Sequence, residues 1–138
     1  MLYVQKGFDE LKPILERTNI LLINESELRL LCKNSNAPVK ELAINFLDLG
    51  IETIVVKQGS NGVYAISNSE ECQVDAYDCN VVDTTGAGDS FNSGFLYSYL
   101  KGYNLEKSCK IANWVASKAI EGFGMEKFPS LKELEDFF

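Results

Sequence analysis

Val81-Val82-Asp83-Thr84-Thr85-Gly86-Ala87-Gly88-Asp89-Ser90-Phe91-Asn92-Ser93-Gly94-Phe95 is the stretch on which the reading of this chain turns. It begins with β-branched residues, passes through two glycines around one alanine, and continues with apolar residues at helical spacing. That order reads as strand, tight turn and helix. A helix starting directly after the glycines leaves its first backbone N–H groups without intrahelical acceptors and aims them at one point. An anion such as a transferring phosphate is held in that way. Asp89 falls in the same first turn, where the helix dipole favours its carboxylate. Beside an anion site a carboxylate has a use if it handles a proton or a metal. As a plain N-terminal helix acid it needs no further explanation.

Glycine pairs also make ordinary strand-to-helix turns, so the longer string Asp83-Thr84-Thr85-Gly86-Ala87-Gly88-Asp89-Ser90-Phe91 carries the argument. It resembles the C-terminal signature of the ribokinase-like sugar kinases, the PfkB carbohydrate kinase family. The resemblance implies that Asp89 is the general base taking the proton of a sugar hydroxyl. It also implies that the amides of Gly86, Ala87 and Gly88 stabilise the charge on the transferred phosphoryl group.

Working outward, the composition is ordinary for a soluble globular protein. A chain of 138 residues, 46% hydrophobic and 24% charged, is one domain's worth and long enough to bury a core. The net charge of −7 comes with no basic cluster, so a nucleic-acid backbone would be repelled and nucleic acid is not an expected partner. No apolar run approaches the ~20 residues that span a bilayer, and the N-terminus has no sustained apolar stretch of a signal peptide. A cytoplasmic protein with no membrane partner is expected. Histidine is absent, which removes imidazole acid–base chemistry and triads and leaves proton transfer to carboxylates, lysine, tyrosine or cysteine. Cys32, Cys72, Cys79 and Cys109 show no Cys-x-x-Cys spacing and read as reduced thiols.

Upstream, Phe8, Leu11, Ile14 and Leu15 predict an amphipathic helix from about Gly7 to Arg17. Asn19-Ile20-Leu21-Leu22-Ile23 is a continuous apolar run, as for a parallel strand covered on both faces. Asn24 then stands as N-cap before Glu25-Ser26-Glu27 and a second helix. A polar loop over Lys33–Ala37 precedes a helix that opens at Pro38 and closes at Gly50. Thr53–Lys57 reads as another buried-type strand, followed by the turn Gln58-Gly59-Ser60-Asn61-Gly62 and the strand Val63–Ile66. Cys72–Val74, with Ala76 and Tyr77, reads as short strand material leading to Val81.

Downstream, the helix carrying Asp89 is expected to turn Phe91, Phe95, Leu96, Tyr99 and Leu100 inward and to stop at Gly102. A long helix from about Leu105 ends at Gly122-Phe123-Gly124, and an amphipathic segment from Leu131 to Phe138 follows Pro129. The fold expected is α/β, a largely parallel sheet layered with helices, the C-terminal half of a ribokinase-like fold.

The same resemblance extends to other residues. Asn24-Glu25-Ser26-Glu27 matches an Asn-x-x-Glu motif in which Asn24 and Glu27 hold Mg²⁺, through water, near the nucleotide phosphates. An Asn cap with acidic first-turn residues is the common explanation of the string on its own, and Glu25 stays with that helix-dipole role. Gly59 and Gly62 fall where the family turns its backbone against ATP, although hairpin glycines are frequent for conformational reasons alone. Lys57 is placed to reach a phosphate, and an exposed lysine after a strand equally has no specific task. Asn113, mid-helix and mildly unfavourable there, falls where the family lays a helix along the adenine. Asp83, Thr85 and Gly124 correspond to a monovalent-cation site, K⁺ for example, while Gly122 and Gly124 also serve as helix stops.

The cofactors implied are ATP and Mg²⁺, and the acceptor is a sugar-like small molecule. The resemblance covers only the C-terminal half of such a kinase, so residues 1–138 are expected to form a single partial domain, nucleotide-binding and catalytic, without the substrate and lid half. Half a sheet leaves apolar surface uncovered, and self-association is expected from that. The competing expectation is a non-catalytic nucleotide-binding or structural half-domain that acts only with another polypeptide. It would bind ATP without turnover.

Overall fold

The computed structural model describes residues 7–33 and 36–138. Met1–Lys6 and two residues of the polar loop expected over Lys33–Ala37 lie outside the described residues. The chain divides into two compact units: residues up to Gly59 with Val63–Gln73, and Ser60–Gly62 with Val74–Phe138.

The first unit begins with α1 (Phe8–Leu15), whose Phe8, Leu11 and Leu15 face its core. β1 (Ile20–Asn24) runs straight into α2 (Glu25–Leu31), and α3 (Val39–Leu47) leads by way of Gly50, at φ +95°, to β2 (Thr53–Lys57). β1 and β2 pair in parallel, Ile20 opposite Thr53 and Asn24 opposite Lys57, with α2 and α3 forming the crossover a parallel pair requires. A 3₁₀ turn at Gly59–Asn61 joins β2 to β3 (Val63–Ser67), which pairs with it antiparallel. β4 (Glu71–Val74) completes the order β1-β2-β3-β4.

The sheet is therefore mixed, not largely parallel as the buried-type runs suggested. The connection Gln58–Gly62 is too short for a parallel crossover, which takes about a dozen residues, and a hairpin is the geometry it permits.

Ile54 and Val56 of β2 share a face with their partners Ile66 and Tyr64 of β3 and pack with Leu28, Leu42 and Phe46 in one cluster. Val55 and Ala65, paired on the opposite face, are buried as well. β1 departs from expectation: it is an edge strand, and Ile20, Leu21 and Leu22 are only half-buried. The Tyr64 hydroxyl donates to Glu71 Oε1 at 3.1 Å and Lys40 Nζ to Glu71 Oε2 at 2.7 Å, so the far edge of the sheet is tied to α3. Burial, with the Glu71 carboxylate beside it, pushes the Tyr64 hydroxyl well up.

The second unit is built on α4 (Ala87–Leu100) and α5 (Leu105–Ala119), with α6 (Leu131–Phe137) behind a Ser130–Glu133 capping box. α4 turns Phe91, Gly94, Phe95 and Ser98 inward. At Gly94 a Cβ would come within 3.1 Å of Ala112 Cα and Val115, so the two helices cross closely there and α5 would have to give by a few tenths of an ångström to admit a side chain. Of the expected inward face Phe91 and Phe95 are buried, while Leu96, Tyr99 and Leu100 are exposed, Leu100 by 83%. Ile111, Trp114, Val115 and Leu134 form the cluster between α5 and α6.

Val81–Asp83 does not enter a sheet, against expectation. The N–H groups of Val82 and Asp83 both donate to the carbonyl of Ile120 at the end of α5, at 2.8 and 3.2 Å, and Val81 and Val82 are exposed. β-branched residues favour an extended backbone, but a strand also needs a neighbour, and none lies beside this segment among the described residues. All four cysteines are free thiols.

Candidate functional site

The candidate residues form two sets, one in each unit. In the first unit, β1 and β2 end level with each other because Asn24 is the register partner of Lys57. Asn24 is extended at φ −79°, ψ 149°, and its backbone N–H donates to Glu27 Oε2 at 3.2 Å. Glu27 thus takes the place of the acidic partner in a capping box, the role its sequence position explains without a ligand. Asn24 is exposed and Glu27 and Lys57 are half-buried. Gly59, at φ +59°, opens the 3₁₀ turn with open space where a Cβ would stand.

Glu25, read as a helix-dipole residue, has a more specific environment. Its Oε1 accepts from Arg29 Nε at 2.8 Å and its Oε2 accepts from Gln58 Nε2 at 2.8 Å. Those bonds, Gln58 first and Arg29 next, hold the Glu25 carboxyl below its ordinary range. The Arg29 contact is legible as an i,i+4 acid–base pair. Gln58 is not, because only the β1–β2 register brings it to Glu25.

In the second unit, Gly86 is the N-cap of α4 at φ +80°, ψ 0°, a left-handed conformation that glycine adopts without strain. Ala87 N–H donates back to Thr84 O at 3.2 Å, and the first i→i−4 bond of the helix runs from Ser90 to Gly86 O at 2.9 Å. Between them, the N–H groups of Gly88 and Asp89 have no backbone acceptor among the described residues. The exposed Asp89 carboxylate stands in that same turn. Two unmatched donors at the positive end of a helix favour an anion.

Just before this turn, the Thr85 N–H donates to Asp83 Oδ1 at 2.9 Å. The backbone N–H and hydroxyl of Thr85, with a backbone contribution from Gly124, hold the Asp83 carboxyl below its ordinary range. Asp83, Thr85 and Gly124 are thus brought together, but what converges on the carboxylate is a set of hydrogen-bond donors. Gly124 itself lies at φ +58°. Among the described residues, no group of three or more His, Cys, Asp or Glu side chains is placed to hold a metal.

Two other candidates have structural work. Asn113 is buried, and its Nδ2 donates to the carbonyls of Val74 at 3.3 Å and Asp75 at 2.9 Å. Gly62 lies at φ +83°, where a Cβ would collide with Val74 O and the Asp75–Ala76 backbone. Both residues therefore serve the exit of β4. No helix among the described residues is long and apolar enough to cross a membrane.

Comparison with known proteins gives the same family from three directions. Residues 4–131 match the model of the pfkB family carbohydrate kinases. A sugar kinase of Archaeoglobus fulgidus, itself uncharacterized, is 40% identical over 124 residues, 90% of this chain and 48% of the relative. A nucleoside kinase of Methanocaldococcus jannaschii is 32% identical over 123 residues, 88% of this chain and 39% of the relative. Among solved structures, an Escherichia coli protein described as ribokinase II, in complex with ATP and Mg²⁺, is similar with a TM-score of 0.82 and 31% identity, covering 94% of this chain and 42% of that one. The chain spans about half the length, or less, of the relatives it matches.

Proposed function

The chain belongs to the pfkB family of carbohydrate kinases, and from that premise we propose that it carries the phosphate-handling and proton-accepting residues of an ATP-dependent kinase acting on a hydroxyl of a sugar or related small molecule. The observation that supports this best is the start of α4. Gly86 is held in a left-handed turn, the Gly88 and Asp89 amides have no backbone acceptor among the described residues, and a carboxylate stands beside them.

These residues fit a nucleotide phosphate. Bound ATP supplies the phosphoryl group, and Mg²⁺ neutralises its charge. The chain's own part is to orient and to move a proton. Asp89 accepts the proton of the acceptor hydroxyl as that oxygen becomes the nucleophile, a step typically worth about 10²–10⁴-fold. The Gly88 and Asp89 amides would donate to oxygens of the transferred group, where they need no reorganisation as charge develops. Asn24 and Glu27 would hold the Mg²⁺ of the nucleotide, with Lys57 and Gly59 toward its phosphates. Asp83 already accepts from donors of Thr85 and Gly124, which fits a monovalent cation poorly.

On this reading residues 1–138 supply the nucleotide-binding and catalytic half of the kinase, and acceptor specificity lies outside them. The relatives' names range over nucleoside, ribose, phosphofructose and dehydro-deoxygluconate kinases, a spread consistent with acceptor choice lying outside these residues. The test is to incubate protein carrying this chain with Mg-ATP and a panel of pentoses, hexoses and nucleosides. Product detection by mass spectrometry should show one acceptor gaining a phosphoryl group. Absence of both ATP binding and any phosphorylated product would overturn the proposal.

A further inference from the structure

The register of the parallel pair places Asn24 opposite Lys57 at the C-terminal ends of β1 and β2. One residue further on, the two chains diverge, one into α2 and the other into the 3₁₀ turn at Gly59. At that point the side chains take over from the backbone ladder: Gln58 Nε2 donates to Glu25 Oε2 at 2.8 Å. The other carboxylate oxygen of Glu25 is gripped by Arg29 through Nε at 2.8 Å and through a second guanidinium nitrogen at 2.6 Å. Arg29 in turn donates to the carbonyl of Ala37 at 2.8 Å, which anchors it to the chain entering α3.

We propose that Glu25 and Gln58 are positioning residues, a side-chain bridge that fixes the first turn of α2, with Asn24 and Glu27, against the strand exit that bears Lys57 and Gly59. The inference rests on the kinase reading of Asn24 and Glu27 given above, and it adds residues that reading leaves idle.

Two features make the bridge more than a surface contact. The orientation of the Gln58 amide is determined by its neighbour, because only Nε2 can face a carboxylate. The remaining oxygen, Gln58 Oε1, is buried with no hydrogen-bond partner among the described residues. A buried unsatisfied acceptor is destabilising, and an apolar side chain would avoid it. The glutamine's contribution is therefore the bond to Glu25. Residues that orient ligand-holding groups from behind typically change affinity about 10–100-fold when removed.

The experiment measures Mg-ATP affinity by calorimetry, together with the thermal midpoint and amide hydrogen exchange over residues 25–28 without ligand. Gln58→Met should weaken Mg-ATP by about tenfold or more, raise the Mg²⁺ concentration required and speed exchange in the first turn of α2, with little change in midpoint. Gln58→Glu, which sets two carboxylates against each other, should weaken it further. The exchanged pair Glu25→Gln with Gln58→Glu rebuilds the bond with donor and acceptor reversed and should recover most of the affinity. A folded exchanged pair that stays about tenfold or more weaker than wild type overturns the bridge, whether or not the single variants fold. Wild-type affinity in Gln58→Met also overturns it, including when its midpoint falls. A wild-type protein that binds no Mg-ATP overturns the functional reading itself, and the positioning role with it.

Discussion

Asn113 donates through Nδ2 to the carbonyl of Val74 at 3.3 Å, joining the middle of α5 to the exit of β4. The same nitrogen reaches Asp75 O at 2.9 Å, so both its hydrogens are committed within the protein. Asn113→Ala removes both bonds and leaves the Val74 carbonyl without this buried donor. It should lower stability by about 1–3 kcal/mol. Urea unfolding of the two proteins measures this, with an unchanged slope required for the comparison. A midpoint equal to wild type would show that water replaces the amide at no cost.

Gly62 and Gly59 both have positive φ, but only Gly62 has backbone where a side chain would stand. Gly62→Ala should therefore destabilise by about 2 kcal/mol or more, combining a left-handed alanine with displacement of the Asp75–Ala76 backbone. Gly59→Ala meets open space and should cost about 1–2 kcal/mol, the left-handed term alone. Thermal midpoints of the pair give the ranking. Equal effects would remove the structural reason for Gly62.

Asp83 links stability to pH. Donors from Thr85 and Gly124 lower its folded pKa below the ordinary 3.8, so folding favours the ionised form. Its contribution is complete above about pH 4 and is lost as pH falls through the lowered folded value. Wild type should exceed Asp83→Asn in stability at neutral pH, and the two curves should converge in acid. A difference that persists unchanged to low pH would assign the effect to something other than the charge.

How far the sequence speaks for this fold depends on whether a feature is local. Thr53–Lys57, Val63–Ser67 and the helix Leu105–Ala119 are legible from runs and periodicity. The left-handed Gly86 ahead of α4 follows from the glycine pair. Strand partners do not. Val81–Asp83 has strand-forming residues, yet its amides are taken by Ile120, about forty positions away. The direction of β3 is recoverable from the short Gln58–Gly62 connection, which outweighs the doubly buried look of the strands. The outer face of α4 is misjudged because Gly94 and Ser98, small and unremarkable in a hydrophobicity pattern, mark the true contact with α5. Among site residues, the Asp83–Thr85 and Asn24–Glu27 contacts are local and legible. Asn113 with Val74 and Gln58 with Glu25 are separated by 39 and 33 positions and appear only once the chain is folded.

The central claim is that Asp89 accepts a proton in phosphoryl transfer. In active enzyme carrying this chain, Asp89→Asn keeps the size of the side chain and its place in the first turn of α4 but cannot take the hydroxyl proton. Steady-state kinetics with Mg-ATP and the acceptor should show kcat reduced by about 10²–10⁴-fold with KM for ATP nearly constant, the pattern of an interaction made only in the transition state. An Asp89→Asn enzyme with near wild-type kcat would contradict the account and leave Asp89 as a helix N-terminal carboxylate.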